Sequence, residues 1–350
     1  MTASVTAFGP GRVNLIGEHT DYNGGLALPF AIAEGVTVVA TAIDGDDVRA
    51  IASDFDGGRD AFPLADPPRD DDTTGWRAFV RGMVAELGAD GRALTPALLE
   101  ISGTLARGSG LSSSAALEVA LALALLGVAG VDVADDDRLA LARVCSRVEN
   151  DWVGAQTGLL DQTASLLGRS GRALRIDFRD MDVTEIPLDL GAWTLVTADS
   201  GQAHSLDAAE GYNERRAECE DAARRLGVAT VSEATPDQAA SLPDPLSRRV
   251  RHVLEENARV DATVAALRAG DLADVGRLLD ASHASLRDLY DASTDAVERT
   301  VSALRDAGAA GARMVGGGFG GHVLALLPPD VTPPPGARAV TPGPGAHLLR

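Results

Sequence analysis

A mixed fold of strands and helices, in one large domain or two closely packed ones, follows from three features of the sequence. At 350 residues the chain is a little over twice the ~150 residues that set the scale of a single domain, so it can bury an extensive core. Its first part is strand-like: from Leu26 to Ala52, short β-branched runs (AIAEGVTVVATAI, DDVRAIAS) alternate with Asp/Gly punctuation. Beyond a further strand-like stretch, Val183 to Thr197, helical spacing dominates.

The elements follow in order. Pro67 and Pro68 lie in an Asp-rich segment, Asp66 to Asp72, that reads as a solvated loop. Trp76, Phe79, Val80, Met83, Val84 and Leu87 recur at helical spacing, and Gly88 can end that helix. A strand is expected near Leu98 to Ser102. Ala115 to Leu126 is apolar on nearly every face, which predicts a helix buried all round. Val183 to Thr197 carries the crossover between two halves. Helices then span Ser205 to Leu226, closed by Gly227; Pro245 to Ala269, with Asp244 as N-cap and Gly270 closing; and Thr294 to Ala307, before Gly308. Seven of the 17 prolines fall between Pro328 and Pro344, which excludes a helix or a central strand there.

Composition narrows the function. With 45% hydrophobic and 23% charged residues and no apolar run approaching 18, neither disorder nor a membrane span is expected. The net charge, 31 − 51 = −20, repels polyphosphate and anionic lipid, so nucleic acid and membranes are not expected as partners. All 31 basic residues are Arg. A chain without lysine has no Walker A lysine, no kinase-strand lysine and no lysine Schiff base, so any handling of ATP must use another device. Cys145 and Cys219 cannot build a disulfide framework, and MTASVTAFGPGR lacks a basic segment followed by an apolar one. Both point to a reducing, cytoplasmic setting.

Three glycine-rich segments carry the chemistry: GPGRVNLIGEHTDYNGG at 9–25, RGSGLSSSAA at 107–116 and GARMVGGGFGG at 311–321. In the middle one, Gly108 and Gly110 permit close backbone approach, three serines offer hydroxyls, and a helix starts at once with its free N–H groups facing the loop. That is an anion cradle without lysine; the same residues also read as a loop that merely caps its helix. In the first segment Arg12, Glu18, His19 and Asp21 crowd together with Asn14, Tyr22 and Asn23. Carboxylates, imidazole and carboxamides in a tight loop suit sugar hydroxyls, or equally a polar loop satisfying its own backbone. The third segment can approach a ligand closely, or simply turn between strands.

Together with VENDWVGAQTGLLDQ at 148–162 and EGYNERRAECE at 210–220, these segments resemble the GHMP kinase superfamily. GRVNLIGEHTDYNGG in particular is similar to the signature of its galactokinase branch. The resemblance runs from about Phe8 to Leu327. It implies an N-terminal α/β domain, assigned to 1–185, and a C-terminal ferredoxin-like α+β domain, assigned to 186–350, with the active site between them.

By the same resemblance, the chain phosphorylates D-galactose at its C1 hydroxyl with ATP. Gly108, Ser109, Gly110, Leu111, Ser112, Ser113 and Ser114 would hold the nucleotide phosphates, with Ser53 near the nucleotide. Ser114 and Glu149 match the positions that bind Mg²⁺, a hydroxyl and a carboxylate whose shell phosphates and waters complete. Asp161 matches the catalytic aspartate and Arg12 the basic residue beside it. Glu18, His19, Thr20, Asp21 and Tyr212 fall where the family contacts the sugar. No histidine lies at zinc-ligand spacing, and a monomer or weak homodimer is expected. A kinase for N-acetylgalactosamine or arabinose, and a non-catalytic galactose and ATP sensor, remain as alternatives. The chain departs from the family pattern at Ala106 and Arg107, at Thr157, and in PPDVTPPPGARAV after the last glycine motif, where a shortened second domain with an uncovered sheet face or edge is expected.

Overall fold

In the computed structural model, which describes residues 3–54, 58–105, 110–202 and 206–349, with backbone alone at 206–209, the elements assemble into three sheets flanked by helices. They run β1 (Ser4–Asn14), β2 (Leu26–Ala27), β3 (Pro29–Ala42), β4 (Asp47–Ala52), β5 (Gly58–Pro63), α1 (Trp76–Ala89), β6 (Ala97–Gly103), α2 (Ser113–Val128), α3 (Arg138–Arg147), α4 (Leu160–Leu167), β7 (Arg172–Asp177), β8 (Asp182–Pro187) and β9 (Thr194–Asp199), followed by α5 (Leu206–Leu226), α6 (Pro236–Ser241), α7 (Leu246–Ala269), α8 (Leu272–Asp288), α9 (Asp295–Asp306), β10 (Gly311–Met314), β11 (His322–Leu327), β12 (Arg338–Ala339) and β13 (His347–Leu349).

The largest sheet has the order β13-β1-β3-β6-β4-β5. Its β1–β3 ladder is antiparallel and slips between Pro10 and Arg12, so the strand bends where it enters the site. Across β1 and β3 lies α2, buried at every position from Ala115 to Leu126, Glu118 included. Gly9 makes this approach possible: a Cβ there would stand 2.1 Å from the Ala116 carbonyl oxygen. The four-stranded sheet, order β10-β11-β9-β12, and the three-stranded β2-β7-β8 complete the framework.

Three apolar cores result. One lies under α2, around Val38, Leu99, Met83 and Leu121; another fills the second half, around Val196, Val250, Tyr290 and Val323. The remaining core joins Leu15, Ile16 and Phe30 from the first half to Val260, Leu279 and Leu324 from the second. Residues of the first glycine-rich segment are therefore anchored by apolar neighbours on both sides of the molecule.

The structure moves α7 one residue on: Pro245 takes the cap position and the helix starts at Leu246. It also adds α8, separated from α7 by only Gly270 and Asp271 and capped by the Asp271 side chain, which accepts from Asp274 N–H. The proline-rich segment covers part of the β9 edge: Arg338 and Ala339 pair with Thr197 and Val196, an edge position that suits a strand bounded by prolines. The chain then returns to the first sheet, where Leu349, Leu348 and His347 pair with Thr6, Ala7 and Phe8. On the way Gly343 N–H donates to Ala31, Gly345 N–H to Gly168 and Ala346 N–H to Ser165.

Deleting residues 343–350 removes these bonds and the β13 ladder. At about 1 kcal/mol net per hydrogen bond, roughly 3–5 kcal/mol of stability should be lost, seen as a thermal midpoint lower by about 5 °C or more. An unchanged melting curve would show that the segment is dispensable.

Candidate active site

The centre of the site is an ion pair between residues 149 positions apart. Arg12, at the bend of β1, donates through Nε to Asp161 Oδ1 at 2.6 Å and through Nη2 to Oδ2 at 2.8 Å, the bidentate geometry a guanidinium fork prefers. Its Nη1 donates to the Gly110 carbonyl at 2.6 Å, and the Ser112 hydroxyl donates to Asp161 Oδ2. The strand, the loop before α2 and the start of α4 thus meet at one carboxylate. Burial opposes the Arg12 charge, but Asp161, Glu18 and Asp21 outweigh it and keep the guanidinium protonated.

Ser112 adopts left-handed backbone angles, φ 58° and ψ 55°, and no side chain caps α2 there. A serine in that place ordinarily satisfies a helix N–H. Here its hydroxyl is committed to Asp161, which leaves the first N–H groups of α2 to another acceptor. Gly108 and Ser109, with Ala106 and Arg107, lie outside the described residues. Leu111 contributes its carbonyl, which accepts from Arg12 N–H at 3.1 Å, and Ser113 opens the helix. Ser53 is exposed in the turn after β4 and does not line the cleft.

Glu149 lies on a widened π-type turn, Val148–Val153, that continues α3; such turns often mark functional positions. Its carboxylate accepts from Thr157 Oγ1 and Gln162 Nε2, each at 2.8 Å, and is also hydrogen-bonded by the Ser114 side chain. Burial, then the Asp161 charge, pushes the Glu149 carboxyl above its ordinary range. Behind it, fully buried Glu118 accepts from the same Gln162 amide at 2.9 Å.

The loop from Gly17 to Gly25 folds into the other wall. Glu18 accepts from Gly316 N–H at 2.8 Å and Asn14 Nδ2 at 3.0 Å, and pairs with buried Arg313 at 3.0 Å. His19 takes a positive φ of 60° and meets Tyr22 Oη at 2.8 Å and the Gly317 carbonyl at 3.1 Å. Burial, then the charge of His252, lowers His19 to about 3, so its ring is neutral. Thr20 is fully buried, and its hydroxyl serves the Gly17 and Leu26 carbonyls at 2.9 and 2.7 Å; it shapes the loop. Asp21 packs so closely on Gly158 that a Cβ there would lie 1.9 Å from Asp21 Oδ2. Burial, then the Asp161 charge, pushes Asp21 up to about 6. Tyr212, on α5, lies 5.3 Å from the His19 ring, centroid to centroid.

Arg12, Glu18, His19, Asp21, Glu149, Asp161 and Tyr212 all face one cleft of about 450 Å³, closed on the far side by Gly316–Gly318 and on a third side by 154–158. Sequence reasoning missed Arg313, Gln162 and Glu118, whose roles are to hold other side chains. Nothing local to their positions signals this, since their partners come from distant segments. Among the described residues no three His, Cys, Asp or Glu side chains gather as a metal-binding group, and no helix is long and apolar enough to cross a membrane.

This α+β fold, in which the start of α2 meets the Arg12–Asp161 pair, is that of the GHMP kinases. The family models for the GHMP kinase N-terminal and C-terminal domains match residues 78–169 and 263–341. A third, the galactokinase galactose-binding signature, matches residues 2–42. Galactokinase of Mycobacterium tuberculosis is 43% identical over 336 residues, covering 94% of this chain and 90% of that protein. Galactokinase of a Roseiflexus species is 40% identical over 91% of this chain. Lactococcus lactis galactokinase, solved in complex with galactose, superposes with a TM-score of 0.91 at 30% identity over 99% of this chain and 95% of that one. Methanococcus jannaschii mevalonate kinase, at 18% identity and a TM-score of 0.68, shares the fold. The chain belongs to the galactokinase family.

Asp21 sets a pH dependence. Its folded-state value near 6 lies above the ordinary 3.8, so the folded form binds the proton more tightly and the ionised carboxylate destabilises the fold above pH 6. Asp21→Asn should therefore be more stable than the parent at pH 8, by about 1–2 kcal/mol, and converge with it at pH 4. Equal stability at pH 8 would mean the carboxylate is better solvated than its surroundings indicate.

Proposed function

We propose that Asp161 and Arg12 perform the galactokinase reaction of this chain: transfer of the γ-phosphoryl group of ATP to the C1 hydroxyl of galactose. The observation that carries the residue assignment is the convergence, in one cleft, of the Arg12–Asp161 pair with Glu18, Asp21 and Tyr212. Among the described residues, Asp161 Oδ2 already accepts from Arg12 and Ser112, whereas Oδ1 accepts from Arg12 alone. A sugar hydroxyl therefore has its place at Oδ1, where the carboxylate accepts the proton as the oxygen bonds to phosphorus and the bond to the ADP leaving oxygen breaks. Arg12 holds that carboxylate in place through its bidentate contact and offsets charge on the phosphoryl oxygens.

Glu18 and Asp21 supply acceptors to the ring hydroxyls, and Tyr212 an aromatic wall with a polar tip. The nucleotide phosphates take the uncapped N-terminus of α2, from Ser112 to Ser114, with Gly108 to Leu111 as the preceding loop. For Mg²⁺, the donors are Ser114 and Glu149, hard oxygen ligands already in hydrogen-bond contact with each other. A pair of protein ligands suits an ion that keeps waters and phosphate oxygens as its remaining partners. Bound there, the ion would neutralise charge on the phosphates. The buried free thiols of Cys145 and Cys219 suit a reducing compartment.

The test is ADP release with Mg·ATP across galactose, glucose, N-acetylgalactosamine, arabinose and mevalonate, with Asp161→Asn in parallel. Galactose should turn over, and the variant should lose about 10²–10⁴-fold in kcat while binding galactose in calorimetry. Undiminished turnover in the variant would remove Asp161 from the mechanism. Binding without turnover in the parent would make the chain a sensor.

A further inference from the structure

All three tyrosines of the chain, Tyr22, Tyr212 and Tyr290, meet around His19, and two of them belong to an ordered series of hydrogen bonds. The series can be read from its fixed end. A carbonyl oxygen only accepts, so the His19 nitrogen 3.1 Å from Gly317 O, Nε2, must carry the hydrogen. In a neutral ring Nδ1 is then bare, and the Tyr22 hydroxyl 2.8 Å away must donate to it. Having used its hydrogen, Tyr22 Oη accepts from Tyr290 Oη at 3.0 Å. Tyr290 Oη in turn accepts from Cys219 Sγ at 3.1 Å. Burial pushes the Cys219 thiol up to about 11, so it retains the hydrogen that this last step needs.

The series also closes on itself. Asn23 donates to the His19 carbonyl at 2.7 Å and shares a hydrogen bond with the Cys219 side chain. His252, its ring tilted against that of Tyr290 at 4.4 Å between centroids, reaches the Glu18 carbonyl at 3.2 Å. Two consecutive carbonyls of the sugar loop are thereby held by the groups that hold the tyrosines. Tyr290 and Cys219 come from the second half of the chain, His19 and Tyr22 from the first.

We propose that Cys219, Tyr290, Tyr22 and His19 form a one-directional positioning relay that fixes His19 in the Nε2–H form and ties the sugar loop to Gly317, so that His19 seats the sugar site without offering it a ring nitrogen. Tyr290 and Cys219 are then positioning residues for sugar binding, remote from the reacting atoms. The relay rests on the reading of this cleft as the sugar site.

Two measurements test it. In ¹⁵N-histidine spectra of the full chain, His19 should show a bare Nδ1 and a protonated Nε2 that stay so when galactose is added; an Nδ1–H form, or a ring-nitrogen shift on adding galactose, overturns the proposal. In kinetics, Tyr290→Phe and Tyr22→Phe should each raise the galactose KM about fivefold to tenfold, with kcat within about twofold and the ATP KM unchanged. Because both cut one path, the double variant should be no worse than Tyr22→Phe alone; additive effects, or an unchanged galactose KM in both, overturn it. Cys219→Ser keeps a donor and should match the parent, whereas Cys219→Val should raise the galactose KM; equal behaviour of the two counts against the relay even where a tyrosine variant fails to fold. If the parent itself does not turn over galactose, the functional reading fails, and the His19 form alone then decides the relay.

Discussion

The Arg12–Asp161 pair is the contact on which the arrangement of the cleft depends. A bent strand, the loop leading into α2 and the first turn of α4 reach the same carboxylate from three directions. Left without Arg12, the Asp161 carboxyl would lose both of its bidentate hydrogen bonds, and the three segments would lose their common anchor. The pair thus sets geometry and charge together. It also explains the strained backbone at Ser112, since a left-handed residue persists where its side chain is held by surrounding structure.

The second constraint is that the site has no single scaffold. Glu18 belongs to the first half of the chain, yet two of its partners, Gly316 N–H and Arg313, belong to the second. Arg313, fully buried, also donates to the Asn14 and Leu15 carbonyls. Around these polar ties lies the core shared by Leu15, Phe30, Val260 and Leu324. Apolar burial supplies the adhesion between halves, and the polar contacts fix the register. A substitution in that shared core would accordingly be felt at the loop of Glu18 and His19, although, among the described residues, no side chain of that core lines the cleft.

Much of this was legible in the sequence, for identifiable reasons. The buried helix α2 is visible because its apolar run admits no solvent face, and the strands β3 and β4 because β-branched runs end in Asp and Gly. Arg12, Glu18 and Asp21 stand out because polar residues sit where glycines crowd the backbone, whereas Glu149 and Asp161 are marked only by the family resemblance of their segments. Other features were hidden. Helix α8 buries Ser282, His283 and Ser285 beside its leucines, which blurs its apolar stripe. The edge strand β12 is only two residues long amid prolines, and pairing partners of such a strand are set by the rest of the fold. The commitments of Thr20 and of the His19 ring nitrogens depend on carbonyls that the folded backbone alone brings close.

The return of β13 to β1 bears on how the molecule is made. Thr6 to Phe8 find their outer neighbours in His347 to Leu349, so during synthesis the first sheet keeps an open edge until the whole of the second half has left the ribosome. Closing so long an intervening segment adds little entropic cost for each further doubling of its length, but it fixes an order of events: the four-stranded sheet can pair before the six-stranded one is complete. The exposed edge of β1 is in the meantime a surface on which a nascent chain could pair wrongly. Vectorial synthesis thus places the first sheet's last step after the second half has emerged.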